Sequence, residues 1–214
     1  MSNAQPDGYL AMPPTENGNP VLVLHAWWGL NDTMRTVCTR LAESGFVAFA
    51  PDLYHGKLAD KIADAEILSN ELDTHHAKAD IADAATFLIE QAGMTNRSLA
   101  VIGFSLGAYF ALDLSVADPK HIHSVVIFYG TRAGDYSNSK AAYLGHFAET
   151  DQFEPQTDVD ELQAALSHAG RPVNFYHYPG TGHWFFESDR SQAFNQPAAD
   201  LAWDRTLAFL RDSL

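Results

Sequence analysis

Apolar positions along the chain fall into two kinds of pattern. Val21-Leu22-Val23-Leu24-His25, Phe46-Val47-Ala48-Phe49-Ala50, Leu99-Ala100-Val101-Ile102, Ile122–Tyr129, Tyr143–Ala148 and Val173–Tyr178 are short, largely continuous runs, as expected of strands covered on both faces. Between them the spacing turns helical. Met34, Val37, Cys38 and Leu41 share one face of a helix that starts after Asn31-Asp32, a good N-cap, and is closed by Gly45. Helices are also predicted over 58–72 and over 75–92, where Ile81, Ala85, Leu88 and Ala92 recur at helical spacing. Further helices are predicted over 108–117, near 158–169, and from about Pro197, where Ala199, Trp203, Leu207 and Leu210 share a face. The first twenty residues, with Pro13-Pro14 and Glu16-Asn17-Gly18-Asn19-Pro20, predict a short edge strand and a loop.

Strands alternating with helices, with no repeat and no linker-like shift in composition, predict a single α/β domain over 1–214. Its sheet is doubly wound and mostly parallel, with helices on both faces. Ligands of such sheets bind at the C-terminal strand ends, where every chemically interesting residue below falls. Composition adds exclusions. The 214 residues are 46% hydrophobic and 19% charged, enough apolar surface for a sizeable core. Thirteen basic residues against 27 acidic give a formal charge of −14, which repels phosphate backbones and anionic lipid. Neither nucleic acid nor a membrane is therefore an expected partner, and no apolar run approaches the ~20 residues of a bilayer span. Cys38 is the one cysteine and closes no internal disulfide, and MSNAQPDGYL has neither the basic nor the apolar region of a leader. The expected location is the cytoplasm, and the expected state a monomer or weak homodimer.

Gly103-x-Ser105-x-Gly107 joins the strand at 99–102 to the helix at 108–117 and matches the nucleophile elbow G-x-S-x-G. A sharp strand-to-helix turn exposes the serine Oγ above the sheet. Glycines flank it because side chains there would meet the neighbouring strand and helix. The same turn places Ser105 at a helix N-terminus, whose free N–H groups and dipole favour a developing oxyanion.

A serine nucleophile needs a base, and the base needs an acid to orient it. Among the histidines after Ser105, His121, His123, His146 and His177 enter or flank strands and His168 ends a helix. His183 alone lies in a glycine-rich loop beyond the final strand, Pro179-Gly180-Thr181-Gly182-His183, and is the expected base. Activity should then rise with pH as an imidazole loses its proton, centred on about 6.5 for free histidine. For the acid, Asp151 follows the strand 143–148 at the best distance, with Glu149 second. Asp158 and Asp160 fall at a helix start and suit capping, while spacing leaves Asp135 open. The loop His25-Ala26-Trp27-Trp28-Gly29 follows an early strand, so the N–H groups of Trp27 and Leu106 are the expected oxyanion donors.

VLVLHAWWGLND, PDLY, GFSLGA, FYG, HFAETDQFEP and YPGTGHWFF, with the later RTLAFL, run in order from about residue 21 to 210. In these stretches the chain resembles the dienelactone hydrolase family of α/β-hydrolases. The resemblance implies an α/β-hydrolase fold with no cap domain, Asp151 as acid and His183 as base. The chain departs from the family's namesakes at three places. Ser105 stands where they have a cysteine, Ala26 where they have a glutamate that helps form the thiolate, and Glu187 where they have an arginine for the substrate carboxylate. The first two changes agree, since serine is deprotonated only during attack and needs no standing anion. The third argues against dienelactone itself.

Pocket candidates are the aromatics Trp28, Tyr54, Phe104, Tyr129, Trp184 and Phe185, with Trp27, which point to a neutral, apolar or aromatic ester, lactone or thioester. No cofactor or metal is expected. There is no G-x-G-x-x-G or Walker A sequence. His75 and His76 point to different helix faces, and His121 and His123 lack a third ligand at usable spacing. Cys38, on an apolar stripe, reads as a core thiol. The expected function is a serine hydrolase acting through acyl-Ser105. A non-catalytic binding protein of the same fold and an acyltransferase with the same triad are the alternatives.

Overall fold

The computed structural model describes residues 5–92 and 98–213, so the leader expectation for residues 1–4 lies outside the described residues. Seven strands, β1 (Gly8–Ala11), β2 (Pro20–Leu24), β3 (Val47–Pro51), β4 (Leu99–Phe104), β5 (Ile122–Phe128), β6 (Ala142–Ala148) and β7 (Val173–Tyr178), form one sheet in the order β1-β3-β2-β4-β5-β6-β7. Only β1 runs antiparallel, against β3; every other neighbouring pair is parallel. The helices are α1 (Asp32–Glu43), α2 (Ile62–Glu71), α3 (Thr74–Gln91), α4 (Leu106–Ala117), α5 (Gln156–His168) and α6 (Gln196–Ser213).

Alternation along the strands decides which helices each residue meets. Val21 and Val23 of β2, Ile102 and Phe104 of β4 and Phe128 of β5 join the core beneath α1 and α6. Leu22, Leu24, Val101, Val125 and Ile127 join the opposite core beneath α3, α4 and α5. Among the described residues the sheet is doubly wound and carries no cap domain, as the α/β-hydrolase resemblance implies. Asn31 caps α1 by accepting the Met34 N–H (3.1 Å), and Gly45, at φ +93°, turns the chain back so that Phe46 N–H reaches the Leu41 carbonyl. Cys38 is fully buried in the core, its thiol pushed up to about 12 by desolvation.

The structure corrects two boundaries and the burial of one strand. The helix expected over 58–72 begins only at Ile62, because the preceding backbone is spent elsewhere: Ala59 N–H donates to Trp28 C=O (3.1 Å) and Arg190 donates to Asp60 C=O (3.0 Å). α4 starts directly after the serine, at Leu106. β7 is an outer strand with exposed Asn174 and His177, so its run is not buried on both faces. Among the described residues no helix is long and apolar enough to cross a membrane.

Candidate active site

β4 delivers Ser105 to the C-terminal edge of the sheet at φ 49°, ψ −111°, a conformation strained for a residue with a Cβ. Its N–H donates to Phe128 C=O of β5 (3.0 Å). The surrounding glycines are steric necessities. A Cβ on Gly103 would lie 2.4 Å from Gly107 O, and one on Gly107 only 2.1 Å from Leu24 O, at the end of β2. Gly130 is a third, since its Cβ would sit 2.6 Å from Ser105 O. The elbow is thus wedged between the ends of β2 and β5. Two further non-glycine residues with positive φ, Tyr129 (37°) and Trp184 (66°), lie at the same edge.

His183 bridges this serine to Asp151. Its Nε2 is 3.0 Å from Ser105 Oγ and its Nδ1 is 2.7 Å from Asp151 Oδ2. An ionised carboxylate only accepts, so Nδ1–H is the donor and the Nε2 lone pair faces the serine hydroxyl. The other Asp151 oxygen accepts the N–H groups of Phe153 (2.9 Å) and Glu154 (3.0 Å), so backbone donors hold the carboxylate in place. The His183 and Asp151 side chains are only 4% and 7% exposed, so their contact lies in low dielectric. The other acids are occupied elsewhere. Glu149 accepts the Gly180 N–H (2.9 Å) and steadies the turn into the histidine loop. Asp135 closes an exposed turn onto Ser137, Asp158 sits in the first turn of α5, and Asp160 pairs with Gln156. Glu154, beside the site, accepts from Thr131 Oγ1, and desolvation raises its carboxyl to about 7.

The loop after β2 is fixed by His25, which has no exposed surface. Its Nδ1–H donates to Ala26 C=O (2.7 Å) and its Nε2 accepts Leu53 N–H (3.2 Å), which requires the neutral ring; burial lowers its pKa accordingly. The N–H groups of Trp27 and Leu106 are not used in the loop, turn or cap hydrogen bonds of the described residues.

The expected pocket aromatics separate into two groups. Trp27, Trp28 and Trp184 form one cluster, with ring centroids 5.4 Å (Trp27–Trp28), 5.9 Å (Trp27–Trp184) and 5.1 Å (Trp28–Trp184) apart. Their three indole N–H groups are buried without an acceptor among the described residues. Trp28 and Trp184 line a cleft of about 350 Å³ closed by Asp60, Ile62 and the 189–193 turn. Phe104 and Phe185 correct the pocket expectation: both have no exposed surface, Phe104 stacking on Phe128 and Phe185 packing on Tyr178, so they form core below the site. Tyr54 lines a different cleft, with His55, Leu68 and Asp73. Tyr129 is buried too, but its ring centre is 4.8 Å from that of His183. Sequence reasoning missed Phe153, whose ring lies 5.0 Å from both His183 and Trp184, although Asp151-x-Phe153 places it beside the acid. Among the described residues no group of three or more His, Cys, Asp or Glu is placed to hold a metal ion.

Comparison with known proteins matches residues 7–214 to the dienelactone hydrolase family. The chain is 32% identical to Protein usf of Aquifex pyrophilus, over 97% of this chain and 93% of the relative. It is 29% identical to a provisionally named carboxymethylenebutenolidase of Aquifex aeolicus, again over 97% and 93%. A dienelactone hydrolase-like crystal structure from Klebsiella pneumoniae superposes with a TM-score of 0.83 at 24% identity, covering 94% of this chain and 91% of that one.

Proposed function

The chain belongs to the dienelactone hydrolase family, and on that premise we propose that it is a serine hydrolase that cleaves a carboxylic ester, lactone or thioester through an acyl-Ser105 intermediate. The observation that carries this reading is the continuous relay from Ser105 Oγ through His183 to Asp151, at 3.0 and 2.7 Å, built on a strained serine. His183 Nε2 takes the hydroxyl proton as Oγ attacks the substrate carbonyl. Asp151 stabilises the imidazolium without taking its proton. The Trp27 and Leu106 N–H groups donate to the developing oxyanion. Collapse expels the alcohol or thiol, which receives the proton from His183, and water repeats the sequence to free Ser105 and the acid.

The substrate is read from the tryptophan cleft. Its one cation, Arg190, is committed: it donates to Asp189 (2.7 Å) and to Asp60 C=O (3.0 Å), and stacks on Trp28 at 4.1 Å. A carboxylate would find no free partner there, whereas a flat, uncharged group suits a cleft walled by indole rings. Neutral aryl or lactone substrates are therefore favoured. Steady-state and burst kinetics with p-nitrophenyl acetate test the reading. A stoichiometric burst absent from Ser105→Ala supports it; equal rates in both proteins refute it.

A further inference from the structure

Behind His183 lies a polar contact that the hydrolytic relay does not use. Glu187 follows the histidine by four residues on the same loop, and its side chain has no exposed surface. Tyr129 donates its phenol proton to Glu187 Oε1 (2.8 Å), while Oε2 is buried with no partner among the described residues. Tyr129 is the first residue past β5, held at φ 37° with its N–H on His146 C=O (2.9 Å). Its ring packs against the His183 ring at 4.8 Å and on Phe185 at 5.6 Å. The next residue, Gly130, abuts the Ser105 carbonyl. One hydrogen bond therefore ties the loop that carries the base to the segment that backs the nucleophile. A buried carboxyl with a single neutral donor is a costly way to fill space, and a packing role alone would favour an apolar side chain.

We propose that Glu187 is a positioning residue for the reaction, acting through its hydrogen bond with Tyr129 to hold His183 in reach of Ser105. Its effect on rate rests on the serine-hydrolase reading; its effect on the His183 ring does not. Desolvation raises the Glu187 carboxyl to about 8, with the Asp189 charge adding to the rise and Arg190 opposing it. Burial and Glu187 likewise push the Tyr129 phenol well up, with Asp189 and Asp151 adding to this. The pair thus works in its neutral form at pH 7. Above about pH 8 Glu187 takes up a buried charge with Tyr129 as its one hydrogen-bond donor among the described residues, and the loop loosens.

Two readouts test this in the intact protein. The first is the downfield proton resonance of His183 Nδ1–H, hydrogen-bonded to Asp151. The second is the rate at which a fluorophosphonate labels Ser105 between pH 6 and 9.5. Glu187→Gln, isosteric with the neutral acid, should keep the resonance, label within about threefold of wild type at pH 7, and lack the wild-type decline above pH 8. Glu187→Ala and Tyr129→Phe, shown to be folded by near-UV circular dichroism, should broaden or lose the resonance and label at least tenfold more slowly. A folded Glu187→Ala with an intact resonance and wild-type labelling overturns the proposal, as does a Glu187→Gln impaired as badly as Glu187→Ala. If the resonances follow the expected pattern but wild type does not label, positioning stands and the hydrolase reading falls.

Discussion

Acidification should destabilise this protein in part through the buried His146. His146 of β6 has no exposed surface and spends both ring nitrogens inside: Thr206 Oγ1 lies 3.0 Å from Nε2 and the Tyr178 hydroxyl 2.7 Å from Nδ1. The Thr206 hydroxyl gives its proton to Ala202 C=O (2.9 Å), so it accepts from Nε2–H, and Nδ1 must accept from Tyr178. The ring is locked neutral. Burial, with the Arg205 guanidinium nearby, lowers its pKa from 6.5 to about 3. Between these values the unfolded chain binds the extra proton, so the stability held above pH 6.5 is lost as pH falls towards 3. At ~1.36 kcal/mol for each pH unit between 6.5 and about 3, the proton binding is worth on the order of 5 kcal/mol, with roughly half gone midway between the two. Against a typical ~5–15 kcal/mol for a domain, that is a third or more of the total. The assay is urea unfolding from pH 7 to 4.5 for wild type and His146→Gln, which keeps a donor and an acceptor but cannot titrate. Other titrating groups, His25 included, are common to both proteins. The wild-type curve should fall more steeply, by about 2–3 kcal/mol over that range. Parallel curves would show that His146 is not the acid-labile group.

Asp151→Asn should leave the protein folded and lower kcat on the order of 10³- to 10⁴-fold, because the amide no longer fixes the His183 tautomer; a loss under tenfold contradicts the orientation assigned to Asp151. Gly107→Ala pushes a Cβ against Leu24 O, 2.1 Å away, and must displace the oxyanion loop or the elbow. It should cost about 1–3 kcal/mol in urea unfolding and about 100-fold in acylation rate; unchanged acylation removes the loop from the reaction. In paired esters differing only by a carboxylate on the acyl chain, the neutral one should have the higher kcat/KM by about tenfold or more. Equal values would mean that Arg190 leaves Asp189 to bind the anion.

The strands and the elbow were legible because each rests on local chemistry. Continuous apolar runs mark β2 to β6, and the elbow is one contiguous strand-turn-helix motif: Gly103 is dictated by contacts inside it, and Gly107 by Leu24 O at the end of β2. His183 and Asp151 were legible from chain order and from the glycine-rich and acidic loops that hold them. What escaped reading depends on distant partners. The start of α2 moves because Trp28 and Arg190 claim the backbone of 59–60, contacts that no local pattern signals. Phe104 and Phe185 read as pocket aromatics because a residue beside a catalytic position can face either the cleft or the core; here both face the core. Glu187 read as a charge that would repel an anionic substrate. Its burial against Tyr129, 58 residues earlier, makes it a neutral tether.

Fluorophosphonate labelling followed by peptide mass spectrometry asks whether His183 activates Ser105. Phosphonylation confined to Ser105 in the wild-type protein, falling with protonation of the base at acid pH and abolished in His183→Ala, is the predicted result. Folded protein that stays unlabelled from pH 6 to 9, or that labels equally well in His183→Ala, would contradict it.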